Sequence, residues 1–143
     1  MNPRLIPSLL VSVVAALAAC KDLGTEALSP MPHGAYAYSA LDSNGATIVR
    51  GWFTMVFSDT GTLSGEWHFL PIGSRDDIGP QIGDGQLTGS VIDTMLYVNL
   101  NPKYVDRNVF LSGRLDTVFY HGTWVWDTFG GISNRGTFEA IRN

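Results

Sequence analysis

Cysteine is almost missing from this chain: Cys20 is the only one in 143 residues. A single thiol cannot close an internal disulfide, so whatever folds here is stable without covalent staples. Charge is sparse as well, with Asp, Glu, Lys and Arg making up 15% of the sequence. Arg50, Arg75, Arg107, Arg114, Arg135 and Arg142 are scattered and form no basic cluster. Binding to nucleic acid depends on a basic face that displaces counterions from phosphates, and that class is set aside. No apolar run reaches the ~20 residues of a membrane-crossing helix; Leu5 to Ala19 gives 15 residues, with Pro7 among them. His33, His68 and His121 lack the close pairing of zinc motifs, so no metal is expected. No serine sits in a strand-to-helix elbow motif, no cysteine remains for chemistry if Cys20 is modified, and no cofactor is expected.

What is present begins with a leader. Arg4 supplies a positive start, Leu5 to Ala16 an uncharged and mostly apolar stretch, and Leu17-Ala18-Ala19-Cys20 ends it with small residues before the cysteine. This resembles the signal and lipobox of bacterial lipoproteins. The resemblance implies removal of residues 1–19 and acylation of Cys20, with the mature chain tethered to a membrane. Each buried methylene of an acyl chain contributes ~0.8 kcal/mol, and two or more chains hold a protein durably. Lys21 follows the cysteine where aspartate would retain an enteric lipoprotein at the inner membrane, so the expected location is the outer membrane, facing the periplasm. Loss of Arg4 with the leader leaves eight basic against thirteen acidic side chains, a net charge of −5.

Residues 20–32 read as the lipidated end and a linker, because KDLGTEALSPMP lacks apolar periodicity and carries Gly24, Ser29, Pro30 and Pro32. The twelve residues after Cys20 reach at most ~40 Å when extended. Residues 33–143 are enough for one domain with one core. Here β-branched and aromatic residues alternate with polar ones between turn residues, which predicts an all-β domain. Strands are expected at about 33–41, 46–57, 62–70, 85–91, 95–101, 107–115, 117–127 and 134–142. Eight short strands with short links predict an antiparallel up-and-down β-barrel.

Glycine, any residue, then a large apolar residue recurs in seven of these strands, as in Gly34-Ala35-Tyr36, Gly51-Trp52-Phe53, Gly65-Glu66-Trp67 and Gly122-Thr123-Trp124. Side chains alternate along a strand, so each glycine shares a face with its bulky partner. That face continues through Val49, Met55, Phe57, Leu63, Phe69, Leu87, Leu111, Val118, Tyr120 and Trp126, and is the expected core. A bulged turn at Gly61 predicts Phe57 opposite Gly61, Gly51 opposite Trp67 and Phe53 opposite Gly65. A two-residue loop at Asp116-Thr117 predicts Gly113 opposite Tyr120 and Leu111 opposite Gly122. In the last hairpin Gly122 is expected opposite Phe138 and Trp124 opposite Gly136, so that missing side chains make room for rings in a strongly curved sheet.

The other face carries Arg50, Glu66, His68, Arg114, His121 and Glu139 and is expected to be solvated, with Trp52, Phe119 and Val125 as apolar exceptions. The connection Pro71 to Asp84 holds Asp76, Asp77 and Asp84 without the spacing of a calcium loop, and is expected to be a solvated contact surface. Size, meander and repeated glycine-aromatic strands resemble the calycin-type barrels, the group that includes avidins and lipocalins. The candidate interior residues for a ligand are Tyr36, Tyr38, Phe53, Trp67, Tyr120, Trp124, Trp126 and Phe138. An eight-stranded barrel either fills its interior with side chains or holds one small ligand there. The expected function is therefore binding, of a small apolar ligand or an envelope protein. The alternative is a barrel enzyme of cyclase or isomerase type acting on a hydrophobic substrate.

Overall fold

The computed structural model describes residues 31–73 and 78–143. Eight antiparallel strands follow one another around a closed barrel: β1 (Gly34–Leu41), β2 (Thr47–Phe57), β3 (Thr62–Pro71), β4 (Gly83–Ile92), β5 (Met95–Asn99), β6 (Asn108–Leu115), β7 (Phe119–Thr128) and β8 (Gly131–Arg142). Each strand pairs with its neighbours in sequence, and β1 pairs with β8 from Tyr36↔Arg142 to Leu41↔Thr137 to complete the circle. Closure satisfies both edges of the sheet, which an open meander of this length would expose.

The two-residue alternation explains which side chains fill the barrel. Tyr36, Tyr38 and Ala40 of β1, Phe53, Met55 and Phe57 of β2, Leu63, Trp67 and Phe69 of β3, and Tyr120 and Trp124 of β7 all point inward and are buried. The glycines of the repeat occupy the same inward face, as expected.

Their cross-strand partners are only partly those expected. The last hairpin pairs Gly122 with Phe138 and Trp124 with Gly136. Between β2 and β3, however, Phe57 lies opposite Leu63, Gly51 opposite Phe69 and Phe53 opposite Trp67. Asp59-Thr60-Gly61 is the whole loop, with the Ser58 amide donating to the Thr62 carbonyl at 2.9 Å and Gly61 in the left-handed region at φ 77°. Between β6 and β7, Gly113 faces Gly122, Leu111 faces Trp124 and Leu115 faces Tyr120. The turn is Thr117-Val118, because Asp116 closes the ladder by donating its amide to Phe119 while its carboxylate accepts from the amides of Val118 and Phe119. Val118 is consequently not a core residue; it sits in the loop, 44% exposed. Both corrections shift the register by two residues, and an even shift leaves the side chains that remain within the strands on their expected face.

The glycines also have a second reason for being there. A Cβ at Gly51 would overlap the His68 carbonyl, one at Gly65 the Thr54 carbonyl, and one at Gly113 the His121 carbonyl. These are backbone atoms of the next strand, so the inner face of the curved sheet itself needs the space. Ring seating is the dominant reason at Gly85, where a Cβ would stand 2.5 Å from the Trp67 indole. Gly136 meets both demands: a Cβ there would overlap the Leu41 carbonyl and stand 2.6 Å from Trp124 Nε1.

Gly136→Ala is expected to destabilise the barrel by ~1–3 kcal/mol through overpacking. Gly130→Ala is expected to stay within about 0.5 kcal/mol, since a Cβ there meets only Thr128 Oγ1, at an ordinary 3.7 Å. Urea unfolding of the two variants checks the difference.

Candidate functional site

The interior is built from rings in contact with one another. Tyr38 stacks on Phe69 with centroids 4.3 Å apart, Tyr36 on Phe53 at 5.5 Å, and Tyr120 meets Phe138 edge-on at 4.7 Å. Phe53 of β2 reaches Tyr120 of β7 across the barrel at 6.4 Å. Seven of the eight residues expected to line an interior site, Tyr36, Tyr38, Phe53, Trp67, Tyr120, Trp124 and Phe138, are buried in this cluster. Trp126 is partly buried and covers Gly79 in the connection between β3 and β4.

The polar atoms of these rings are directed to backbone carbonyls at the two ends of the cylinder. Trp67 Nε1 donates to Leu100 at 2.6 Å, Trp124 Nε1 to Leu41 at 2.8 Å, Tyr120 to Leu96 at 3.1 Å and Tyr36 to Pro32 at 3.0 Å. Tyr38 differs in bonding a side chain, donating to Oε1 of fully buried Gln81 at 3.2 Å. Gln81 Nε2 finds no partner among the described residues. Desolvation holds the Tyr38 phenol far above its ordinary pKa. Burial also raises Tyr120, reinforced by Tyr38, and raises Tyr36, opposed by the charge of Arg142. The core therefore contains neutral phenols at physiological pH.

Two clefts flank this core. At one mouth of the barrel, where Met31 and Pro32 lead into β1, a cleft of about 460 Å³ lies among Met31, Val91, Leu96 and Leu115, with Thr94, Asp116 and Thr117 on its lip. Leu96 joins it to the core, since its carbonyl accepts the Tyr120 hydroxyl. The Asp116 carboxylate is held below its usual range by the amides of Phe119 and Val118. It stays charged at neutral pH and marks the wet side of an otherwise apolar cleft. At the opposite mouth a second cleft, of about 450 Å³, lies between the outer face of β3 and β4 and the loop Asn101–Tyr104.

The three histidines are far apart in role. His33 Nδ1 accepts the Phe57 amide at 3.1 Å, His68 Nδ1 lies 2.5 Å from Asp84 Oδ1, and His121 on β7 stands between Arg114 and Glu139 in the sheet. Cys20, Asp76 and Asp77 lie outside the described residues. Neither cleft was visible in the sequence, because each is formed by residues far apart in the chain. Trp52 was the one available signal, as an indole on an otherwise polar face. Searches against family profiles, characterised proteins and solved structures each found no match to this chain.

Tyr38→Phe is expected to cost ~1–3 kcal/mol, because it leaves the Gln81 side chain without a partner among the described residues. Combining it with Gln81→Leu should recover most of that loss in urea unfolding. The buried phenols also set a pH dependence. Their pKa values are raised in the folded state, so their contribution is intact below the unfolded tyrosine pKa of ~10 and declines above it as the unfolded chain ionises. Stability measured from pH 8 to 11.5 should fall in the upper part of that range, less steeply in Tyr38→Phe.

Proposed function

We propose that this protein is a lipid-anchored envelope protein whose barrel binds a small apolar ligand at the mouth beside its N-terminal side. The mouth cleft carries the reading. Its volume falls within the ~300–1,000 Å³ of small-molecule sites, and barrel mouths are a usual place for them. Met31, Val91, Leu96 and Leu115 offer an apolar wall, while the tightly packed rings leave the mouth as the accessible part of the core. The lipobox pattern at Leu17-Ala18-Ala19-Cys20 supports the anchor. Only the twelve-residue segment Lys21–Pro32 separates Cys20 from the start of the domain, so an acylated Cys20 tethers the barrel from the side on which the cleft opens. A molecule dissolved in the lipid then meets the cleft at short range. The proposed location is the outer membrane, facing the periplasm, with the membrane as partner through Cys20 and no role for nucleic acid.

Ile92, Val118, Phe119 and Ile141 are exposed around the same mouth and favour a second reading, an envelope protein seated there. Binding is favoured over a cyclase or isomerase activity because Tyr38 and Tyr120, the ionisable rings deepest in the core, are held neutral and bonded.

Intact mass measurement of the protein from a lipoprotein-processing bacterium should give residues 20–143 plus acyl chains. A retained Met1 or an unmodified Cys20 would remove the anchor. Native mass spectrometry of the same preparation should show a copurified apolar molecule, lost when Thr94→Trp fills the cleft. A ligand-free wild type, or an adduct that survives the substitution, would count against the mouth as a binding site.

A further inference from the structure

We infer that the cleft at the far mouth is a second binding site, for a linear, neutral oligosaccharide. Trp52 and Tyr104 line this cleft together and remain 43% and 57% exposed, large rings left open to solvent in a wall that also carries charged and amide side chains. Glu66, Asp84, Gln86 and Lys103 line the same cleft. A pyranose ring has flat patches of C–H bonds and a rim of hydroxyls that both donate and accept. Aromatic faces carry partial negative charge and attract such C–H edges. Carboxylates, a primary amide and an ammonium cover both hydrogen-bonding roles of the hydroxyls.

The parts are held in place before any ligand arrives. Trp52 stacks on His68 with centroids 6.1 Å apart and planes 25° from parallel, and His68 is paired with Asp84 at 2.5 Å. Trp52, His68 and Asp84 lie side by side on β2, β3 and β4, and Glu66 faces Gln86 across the next rung. On the loop side, the Tyr104 amide donates to the Asn101 carbonyl at 3.1 Å, and Asn101 is tied to Asn99 at 2.9 Å and to Pro80 at 3.3 Å. Rigid aromatic side chains with few torsions give contact area at low entropic cost.

Charge and shape narrow the ligand. Glu66 and Asp84 against Lys103 give the cleft no positive excess, which disfavours phosphate and other polyanions. Lys103 in turn disfavours a basic peptide. The cleft does not end at Lys103: Glu66, Gln86, Pro102 and Lys103 also line an adjoining groove that continues over Ser64 and Thr88. From the His68–Asp84 rung to the Ser64–Thr88 rung is four residues, or ~13 Å along the strands, so the site accommodates a chain rather than a single sugar. Uncharged hydroxyls take over from the carboxylates along this path.

The inference is independent of the anchor and of the apolar mouth, which lies at the other end of the barrel. Calorimetry and intrinsic tryptophan fluorescence on the full chain in lipid nanodiscs test it, with a β-1,4-linked N-acetylglucosamine tetramer and cellotetraose as probes. Saturable binding of at least one tetramer in the micromolar to millimolar range is expected, with Trp52→Ala and Tyr104→Ala each weakening it about tenfold or more. Both side chains are substantially exposed, so thermal unfolding of the variants should match the wild type and separates lost binding from lost fold. Should Trp52→Ala unfold, Tyr104→Ala alone decides. No binding of either tetramer at millimolar concentration, binding insensitive to both substitutions, or preference for a Lys-rich peptide or heparin over the tetramers would overturn the assignment.

Discussion

Bending eight short strands into a closed cylinder crowds the inner face of the sheet, and the positions of the inward glycines are set by that crowding. At Gly51, Gly65, Gly113 and Gly122 the next strand's backbone occupies the space a Cβ would take. Without these gaps the strands could not approach closely enough to curve, and the first strand would not reach the last. Other inward glycines admit the indoles, Trp67 lying over Gly85 and Trp124 over Gly136, and Gly136 also yields to the Leu41 carbonyl. Curvature and ring packing are therefore one arrangement, in which the chain omits side chains where the wall bends and enlarges them where the middle must be filled.

A core of Tyr and Trp must also place its polar atoms. This barrel sends most of them outward along its axis, to the carbonyls of Pro32, Leu41, Leu96 and Leu100, which lie just beyond or at the ends of strands. These acceptors matter because a buried N–H or O–H left without a partner costs about as much as a lost hydrogen bond. Each ring thus fills the centre and fastens a loop or strand end at once. Gln81 applies the same logic with a side chain, reaching from the β3–β4 connection into the core to accept from Tyr38. The ends of the cylinder are shaped by this fastening, and both clefts are found there.

Much of the architecture was legible in the sequence because alternation is a robust signal. Strand positions and the inward face follow from parity alone, and parity survives an error of two residues in a turn. The register did not survive it. At Asp116 the amide's bond to the Phe119 carbonyl, braced by the carboxylate's bonds to the Val118 and Phe119 amides, places the residue just before the turn rather than within it, a role its residue type does not distinguish. At Gly61 the left-handed turn was readable, but the pairing of Ser58 with Thr62 around it was not. The clefts were hidden for another reason: Trp52, Glu66, Asp84 and Tyr104 are spread over three strands and a loop, and only strand pairing together with the placement of the loop after β5 gathers them.

The seam between β1 and β8 has a bearing on how the molecule comes to exist. Asn143 donates its amide to the Ala35 carbonyl, and Arg142 lies opposite Tyr36, so β8 and the residue after it complete the sheet against the first strand. As long as β8 is held away from the sheet, β1 and β7 keep bare edges. Contacts of such long sequence separation form late and slowly. The cylinder therefore acquires its sealed wall in one late step, and anything that peels β8 away reopens two edges together.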